Sequence, residues 1–392
     1  MAQRESIDKT QKAPFRRVNP SLAEVGHIVA VASGKGGVGK STVASNLAVA
    51  LRASGVSVGL MDADIYGPSQ PGMFGALGQR PDIMGQQLLP VEKHGVKFIS
   101  MGLLLDENSP VIWRAPIAMK MIHQFLGAVV WGELDYLLID LPPGTGDVQL
   151  TLAQQAPLTG AIIVTTPQQV ALGVARKGLR MFQQVNVPIL GVIENMAGFT
   201  CAHCGNVTHI FREGGGAKMA EEFGVPLLGS IPLDPAIMDA SEEGLPVAGK
   251  SPESSAAKSY TDIAASLRSQ IEENKGGTIP LEPVDVDVDS EGKLHIEWPD
   301  GHQSIYSPYN LRLACQCAQC IDEDTGRKIL DDRRIPLDIS IESFAPVGRY
   351  ALAFNFSDRH NTGIYSYERL RELCECAECA KKAGRETDSF SV

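Results

Sequence analysis

From Gly26 to about Asn274, short runs of consecutive apolar residues alternate with longer stretches of helical periodicity. The runs at Ile28–Ala32, Ser57–Met61, Val96–Met101, Tyr136–Ile139, Ala161–Thr165, Ile189–Glu194 and Leu227–Ile231 predict strands. Between them, Ile117–Val130, Val170–Val185 and Gly216–Phe223 predict helices, and Ser254–Glu273 predicts a closing amphipathic helix. Strands without polar alternation are buried on both faces. The pattern therefore predicts an α/β domain, a mostly parallel sheet covered by helices on both faces.

Residues 274–283 contain Gly-Gly and two prolines, which predicts a linker. Beyond it the pattern changes. Lys293–Trp298 and Tyr350–Phe356 alternate with polar residues and predict the strands of a small α+β domain. The expected organisation is a flexible arm over 1–24, the α/β domain over 25–273, the linker, a cysteine-rich domain over 284–383 and a tail over 384–392.

The small domain contains a repeat of about 59 residues. One copy reads Asp300-Gly-His302, Ile305-Tyr-Ser307, Leu311-Arg312 and Cys315-Gln-Cys-Ala-Gln-Cys320. The other reads Asp358-Arg-His360, Ile364-Tyr-Ser366, Leu370-Arg371 and Cys374-Glu-Cys-Ala-Glu-Cys379. Two copies imply paired units related by a pseudo-twofold axis rather than a solenoid.

A chain of 392 residues is long enough for two domains and a sizeable core. Its net charge of −11 argues against nonspecific nucleic-acid or anionic-membrane binding, so neither partner is expected. No apolar run reaches bilayer-spanning length, and Met1–Arg17 is too polar for a secretory leader. These features predict a cytoplasmic protein. Its eight cysteines are then expected to be reduced and to ligate metal rather than form disulfides.

The chemistry begins at Ser33-Gly-Lys-Gly-Gly-Val-Gly-Lys-Ser-Thr42, between a predicted strand and a helical run. Such a loop (Gly34, Gly36, Gly37, Val38, Gly39, then Lys40, Ser41 and Thr42) aims backbone N–H groups at one point, in front of a helix N-terminus. Lys40 can reach β/γ-phosphate oxygens and Ser41 can ligate Mg²⁺, so the loop predicts a bound nucleoside triphosphate. Asp62 and Asp64 follow the second strand, and Asp140 opens Asp140-Leu-Pro-Pro-Gly-Thr-Gly-Asp147 after another. Carboxylates at these strand ends face the phosphates. Asp64 is expected to position the attacking water, Asp62 to organise Mg²⁺ or Lys40, and Gly144 to offer its N–H to the γ-phosphate in a switch loop.

The early Lys35 resembles the signature lysine of the MinD, ParA, nitrogenase iron protein and Mrp group. That resemblance implies a catalytic lysine reaching the partner's phosphates in a nucleotide-linked homodimer. It also makes Asp140 similar to a Walker B aspartate that holds Mg²⁺ through water. Asp62-Ala-Asp-Ile-Tyr-Gly-Pro-Ser69, the Asp140 loop and Glu194-Asn-Met196 followed by Cys201-Ala-His-Cys204 together resemble the Mrp/ApbC iron–sulfur cluster carrier ATPases. The resemblance covers about residues 20–270 and implies that Asn195 contacts adenine.

Cys201 and Cys204 have the spacing of a metal-binding pair. One pair supplies two ligands where a closed site or a cubane cluster takes four, and a symmetric dimer supplies the rest. The resemblance implies a bridging, transferable [4Fe-4S] cluster, with apoprotein clients and cluster-assembly proteins as partners. The alternatives at this pair are a zinc knuckle with His203 helping, a redox dithiol and two inert cysteines. Alternatives for the whole chain are a MinD/ParA-like positioning ATPase and a zinc-binding regulatory adaptor.

Trp298-Pro-Asp-Gly-His302, Leu311-Arg312 and the first cysteine triplet resemble the N-terminal domain of gamma-butyrobetaine hydroxylase. This implies structural Zn²⁺ on Cys315, Cys317, Cys320 and His360. The repeat adds a hypothesis of its own: Cys374, Cys376 and Cys379, completed by His302, form a second site. An alternative is that these sulfurs carry iron–sulfur clusters.

Overall fold

The computed structural model describes residues 20–379 apart from 23, 66, 105–114, 145, 186, 202–203, 205, 278–282, 323–326, 348–350 and 377. The chain divides at Gly277 into two compact units.

The first unit is built on a nine-stranded sheet. Its central order is Ile189–Thr200, Gly160–Thr165, Val25–Ser33, Leu134–Asp140, Val58–Asp62, Val96–Ser100, all parallel. Leu227–Leu233 adds parallel to Ile189–Thr200, whereas the short outer strands Val207–Thr208 and Val91–Lys93 are antiparallel. Alternate residues of one strand enter different cores: Val29 and Val31 pack with the helices Lys40–Ala53 and Ser255–Gly277, Ile28 and Ala30 with Ala115–Ala128 and Gln169–Gln184. This is why the strands read as uninterrupted apolar runs. Among the described residues no helix is long and apolar enough to cross a membrane.

Two boundaries differ from expectation. Pro20–Leu22 forms a 3₁₀ turn and Leu22 is buried, so the end of the expected arm is part of the core; residues 1–19 lie outside the described residues. The closing helix continues to Gly277, because Asn274 and Lys275 extend it until Gly-Gly. The expected linker thus begins inside a helix; residues 278–282 and the expected tail lie outside the described residues.

The second unit contains two three-stranded antiparallel sheets, Asp285–Val288/Leu294–Glu297/Gln303–Tyr306 and Ile341–Val347/Ala351–Phe356/Gly363–Ser366. Each leads into a six-residue helix, Pro308–Leu313 or Tyr367–Glu372, and then a cysteine triplet. Ser307 and Ser366 cap the two helices identically, each Oγ accepting from the backbone N–H three residues on. Trp298, Tyr306, Phe354, Phe356, Tyr365 and Tyr367 fill the core.

Candidate functional sites

The parallel sheet order decides the first site. It places the C-terminal ends of Val25–Ser33, Leu134–Asp140, Val58–Asp62 and Val96–Ser100 side by side, although they are distant in sequence. Asp62 thereby registers with Asp140 on one side and Ser100 on the other.

The loop runs from Gly34 to the helix that starts at Lys40. Gly37 and Gly39 have φ near +80°, a region closed to most side chains. Gly39 is also sterically required, since a Cβ there would lie 2.3 Å from Asn195 Nδ2. Lys35, Gly36, Gly37, Val38, Gly39, Lys40, Ser41, Thr42, Asp64 and Pro143 line a cavity of about 190 Å³. Gly34 lies just below it, packed against the backbone of Val174.

Lys40 and Asp140 form a buried ion pair, 6% and 0% exposed. Lys40 Nζ also lies 3.3 Å from Ser41 Oγ. Gln70 Nε2 donates to Asp140 Oδ2 and to the Ser41 carbonyl, both at 2.9 Å. Its other amide atom, Oε1, is buried without a partner. An unsatisfied acceptor on a side chain that also holds the Asp140 carboxylate fits the hydration shell of Mg²⁺, which keeps several waters. Gln70 was not singled out from sequence, though it directly follows the Asp62–Ser69 motif.

Asp62 is fully buried and accepts from Ser100 Oγ at 2.8 Å and from the Asp64 N–H at 3.0 Å. Burial, reinforced by the neighbouring Asp140, pushes its carboxyl up to about 8. Asp64 accepts from the Gly67 N–H and faces the phosphate cavity. The Gly144 N–H is engaged: it donates to the Ser33 carbonyl at 3.1 Å, with φ +105°. Contact with a γ-phosphate requires this bond to break, which gives the expected switch a specific starting state.

A second cavity, about 510 Å³ and mostly apolar, adjoins the loop at Gly39 and Thr42. Asn195 and Met196 line one side, Pro232, Leu233 and Asp234 another. Asn195 thus lines the cavity that adjoins the loop. Its amide also braces the loop, with Nδ2 donating to the Val38 carbonyl at 2.9 Å. The neighbouring Glu194 points the other way and accepts from the N–H of Gly216 at a helix start. Pro232–Asp234 escaped the sequence reading because only the fold brings that strand end to the loop.

Asn195 belongs to the strand Ile189–Thr200, which runs on to Cys201. Cys201 and Cys204 occupy the turn between this strand and Val207–Thr208; Cys204 is exposed and Cys201 half-buried. His203 lies outside the described residues.

In the second unit, two groups of four donors form. Cys315, Cys317 and Cys320 surround His360, whose Nε2 is 3.2, 3.6 and 3.8 Å from their sulfurs. Cys374, Cys376 and Cys379 surround His302 at 3.4, 3.8 and 3.6 Å. Zinc–sulfur and zinc–nitrogen bonds in a tetrahedron put the two ligand atoms about 3.6 Å apart. Both groups match that spacing. Burial holds His360 below the ordinary imidazole range, in the neutral form that ligates, and pushes the Cys315 thiol up to about 12. Metal binding there must therefore displace a thiol proton.

Residues 24–268 match the family of the NUBPL iron-transfer P-loop NTPase, and residues 287–371 match the gamma-butyrobetaine hydroxylase-like N-terminal family. Similar proteins include iron-sulfur cluster carrier proteins from Pseudomonas fragi (53% identity over 62% of this chain and 86% of that one) and Aquifex aeolicus (51%, 68% and 73%). The Escherichia coli K12 carrier is 46% identical over 66% of this chain and 71% of its own. Among solved structures, a nucleotide-binding protein from Archaeoglobus fulgidus in complex with ADP aligns with a TM-score of 0.53. It is 42% identical and covers 58% of this chain and 90% of that one.

Proposed function

Because the chain belongs to the NUBPL iron-transfer P-loop NTPase family, we propose that it is an ATP-hydrolysing carrier that holds an iron–sulfur cluster between two copies and passes it to apoproteins. The observation that carries this reading is the strand Ile189–Thr200. At Asn195 it braces the phosphate loop and lines the larger cavity; six residues on it delivers Cys201 to an exposed turn. A left-handed residue at Met196 and a register shift before Phe199 make that interval shorter than the roughly 20 Å of a fully extended strand.

ATP occupies the two adjoining cavities, its phosphates against Gly36–Thr42 and its base beside Asn195. Ser41, Asp140 and Gln70 would hold Mg²⁺, which would supply charge neutralisation on the phosphates. Lys40 exchanges its bond to Asp140 for phosphate oxygens, and Asp64 orients the attacking water. Lys35 is half-buried and makes no ion pair among the described residues, which suits a lysine that reaches a second copy. Two copies place four sulfurs around one [4Fe-4S] cluster. The exposure of Cys204 suits a cargo that must leave. When the Gly144 N–H donates to a γ-phosphate oxygen it releases the Ser33 carbonyl, and movement of the loop reaches the cysteines through Asn195. Client proteins and cluster-assembly partners meet the chain at this turn. The Cys315, Cys317, Cys320 and His360 group takes structural Zn²⁺.

Oxygen-free reconstitution with iron and sulfide tests this reading. Wild type is expected to acquire the visible absorbance of a cluster, at one cluster per two chains, and to pass it to an apoprotein. Cys201→Ala/Cys204→Ala should lose both properties and keep ATP hydrolysis. A wild type that hydrolyses ATP but acquires no cluster would favour a regulatory adaptor.

A further inference from the structure

We propose that the C-terminal unit holds a second metal ion, a Zn²⁺ bound by His302, Cys374, Cys376 and Cys379, and that this ion is the exchangeable member of a pair. The inference is independent of the carrier reading, since it concerns neither the phosphate loop nor Cys201 and Cys204.

The two donor groups are related by reciprocal contacts that run through the whole unit. Each cysteine triplet takes its histidine from the other repeat. Tyr306 Oη donates to the Leu370 carbonyl at 2.7 Å, and Tyr365 Oη to the Leu311 carbonyl at 2.6 Å. Arg312 donates to Asp358 and Arg371 to Asp300, both at 2.7 Å. Each of these aspartates also accepts the backbone N–H of its own repeat's histidine, at 3.1 Å for His302 and 3.0 Å for His360. The machinery that presents His360 to the first triplet is thus duplicated for His302 and the second. A decayed copy would not keep the aspartate, the arginine and the tyrosine that position a ligand.

In each group all four donor atoms lie within 4.8 Å of one another. That spacing suits one ion. An iron–sulfur cluster spreads its ligands around an inorganic core of several atoms. Three thiolates and an imidazole form a common closed set for zinc, and soft sulfur donors disfavour Mg²⁺ and Ca²⁺.

The two groups differ in cover. With three thiolates on a divalent ion, each site carries a net negative charge. At the first, Cys320 is 1% and His360 6% exposed, and Arg312 Nη1 donates to Cys320 Sγ at 3.3 Å. At the second, His302, Cys376 and Cys379 are all half-buried. Arg371 lies over the Trp298 ring at 5.3 Å, and its Nη1 is buried with no acceptor. Among the described residues no guanidinium donates to the sulfurs of the second group. Outer partners of this kind are worth about 10–100-fold in metal affinity, so the second ion should leave first.

The test uses the full chain carrying Cys201→Ser/Cys204→Ser, loaded with zinc alone, freed of excess metal and challenged with a colorimetric chelator. The expected result is two ions per chain released in two phases, the faster by at least about tenfold. His302→Ala should abolish the fast phase and His360→Ala the slow one. One ion per chain, or a count unchanged by His302→Ala, overturns the proposal. Should His302→Ala fail to fold, the stoichiometry and phases of the parent chain decide alone: two ions with two rates support the proposal, and a single ion or a single rate overturns it.

Discussion

At the phosphate loop the buried charges have partners within the chain. Lys40 sits on Asp140, Gln70 holds Asp140 and the Ser41 carbonyl together, and Asn195 fastens Val38. In the C-terminal unit three sulfurs and an imidazole crowd together in each group, electron-pair donors whose natural complement is a cation. In the first arrangement the buried charges are paired without a ligand, and the Lys40–Asp140 pair must be opened to bind one. The second depends on a ligand to become complete. A large unit with two cores can hold an empty site in shape, whereas a small unit with one core around two donor groups has little else to hold them.

The largest effect should therefore come from stripping metal. Structural zinc is worth about 10–16 kcal/mol in small metal-dependent folds, comparable to the whole stability of a domain at about 5–15 kcal/mol. Treatment with a strong chelator under reducing conditions is expected to abolish amide-exchange protection across 285–372 and to leave protection of the sheet strands in 25–233 unchanged. Protection across 285–372 that survives metal removal would break the comparison.

The two loop lysines sharpen it from the other side. Lys40→Ala leaves Asp140 buried without its cation, which should cost about 3–5 kcal/mol of stability. It should also lower ATP turnover by on the order of 10²–10³. Lys35→Ala removes a side chain with no ion pair among the described residues, so its stability should match wild type within about 0.5 kcal/mol while hydrolysis falls. Equal loss of melting temperature in both variants would show that the Lys40–Asp140 pair is not what holds the empty site.

Much of this architecture was legible in the sequence, for identifiable reasons. The strands could be read because burial on both faces removes polar residues, as at Ile28–Ala32 and Ala161–Thr165. The grouping of His360 with the first cysteine triplet could be read from a family resemblance, and that of His302 with the second from the symmetry of the repeat. Contacts made by strand order were hidden. Asp62, Ser100 and Asp140 are neighbours only because the order places Leu134–Asp140, Val58–Asp62 and Val96–Ser100 together. The role of Gln70 and the wall Pro232–Asp234 depend on the same closure. The bond from Gly144 to Ser33 depends on how the loop after Asp140 closes against the strand Val25–Ser33, and no residue pattern encodes it.

A further prediction, set by pH rather than by a lost contact, concerns the one carboxyl at odds with its surroundings. Burial and the adjacent Asp140 hold Asp62 at about 8, against 3.8 for an unperturbed group. Without nucleotide or Mg²⁺, the folded chain then keeps a proton between about pH 4 and 8 that the unfolded chain has released. Stability must fall as pH rises through that window, because the folded state binds more protons. Asp62→Asn retains the shape and an acceptor for Ser100 but cannot ionise. Its melting temperature is therefore expected to gain on wild type steadily from pH 4 to pH 8 and to run parallel to it above. A difference between the two proteins that stays constant across this range would mean that Asp62 is already ionised in the empty site. In that case Lys40 would be shared by two carboxylates, and the nucleotide site, like the metal sites, would need its ligand's cation to be complete.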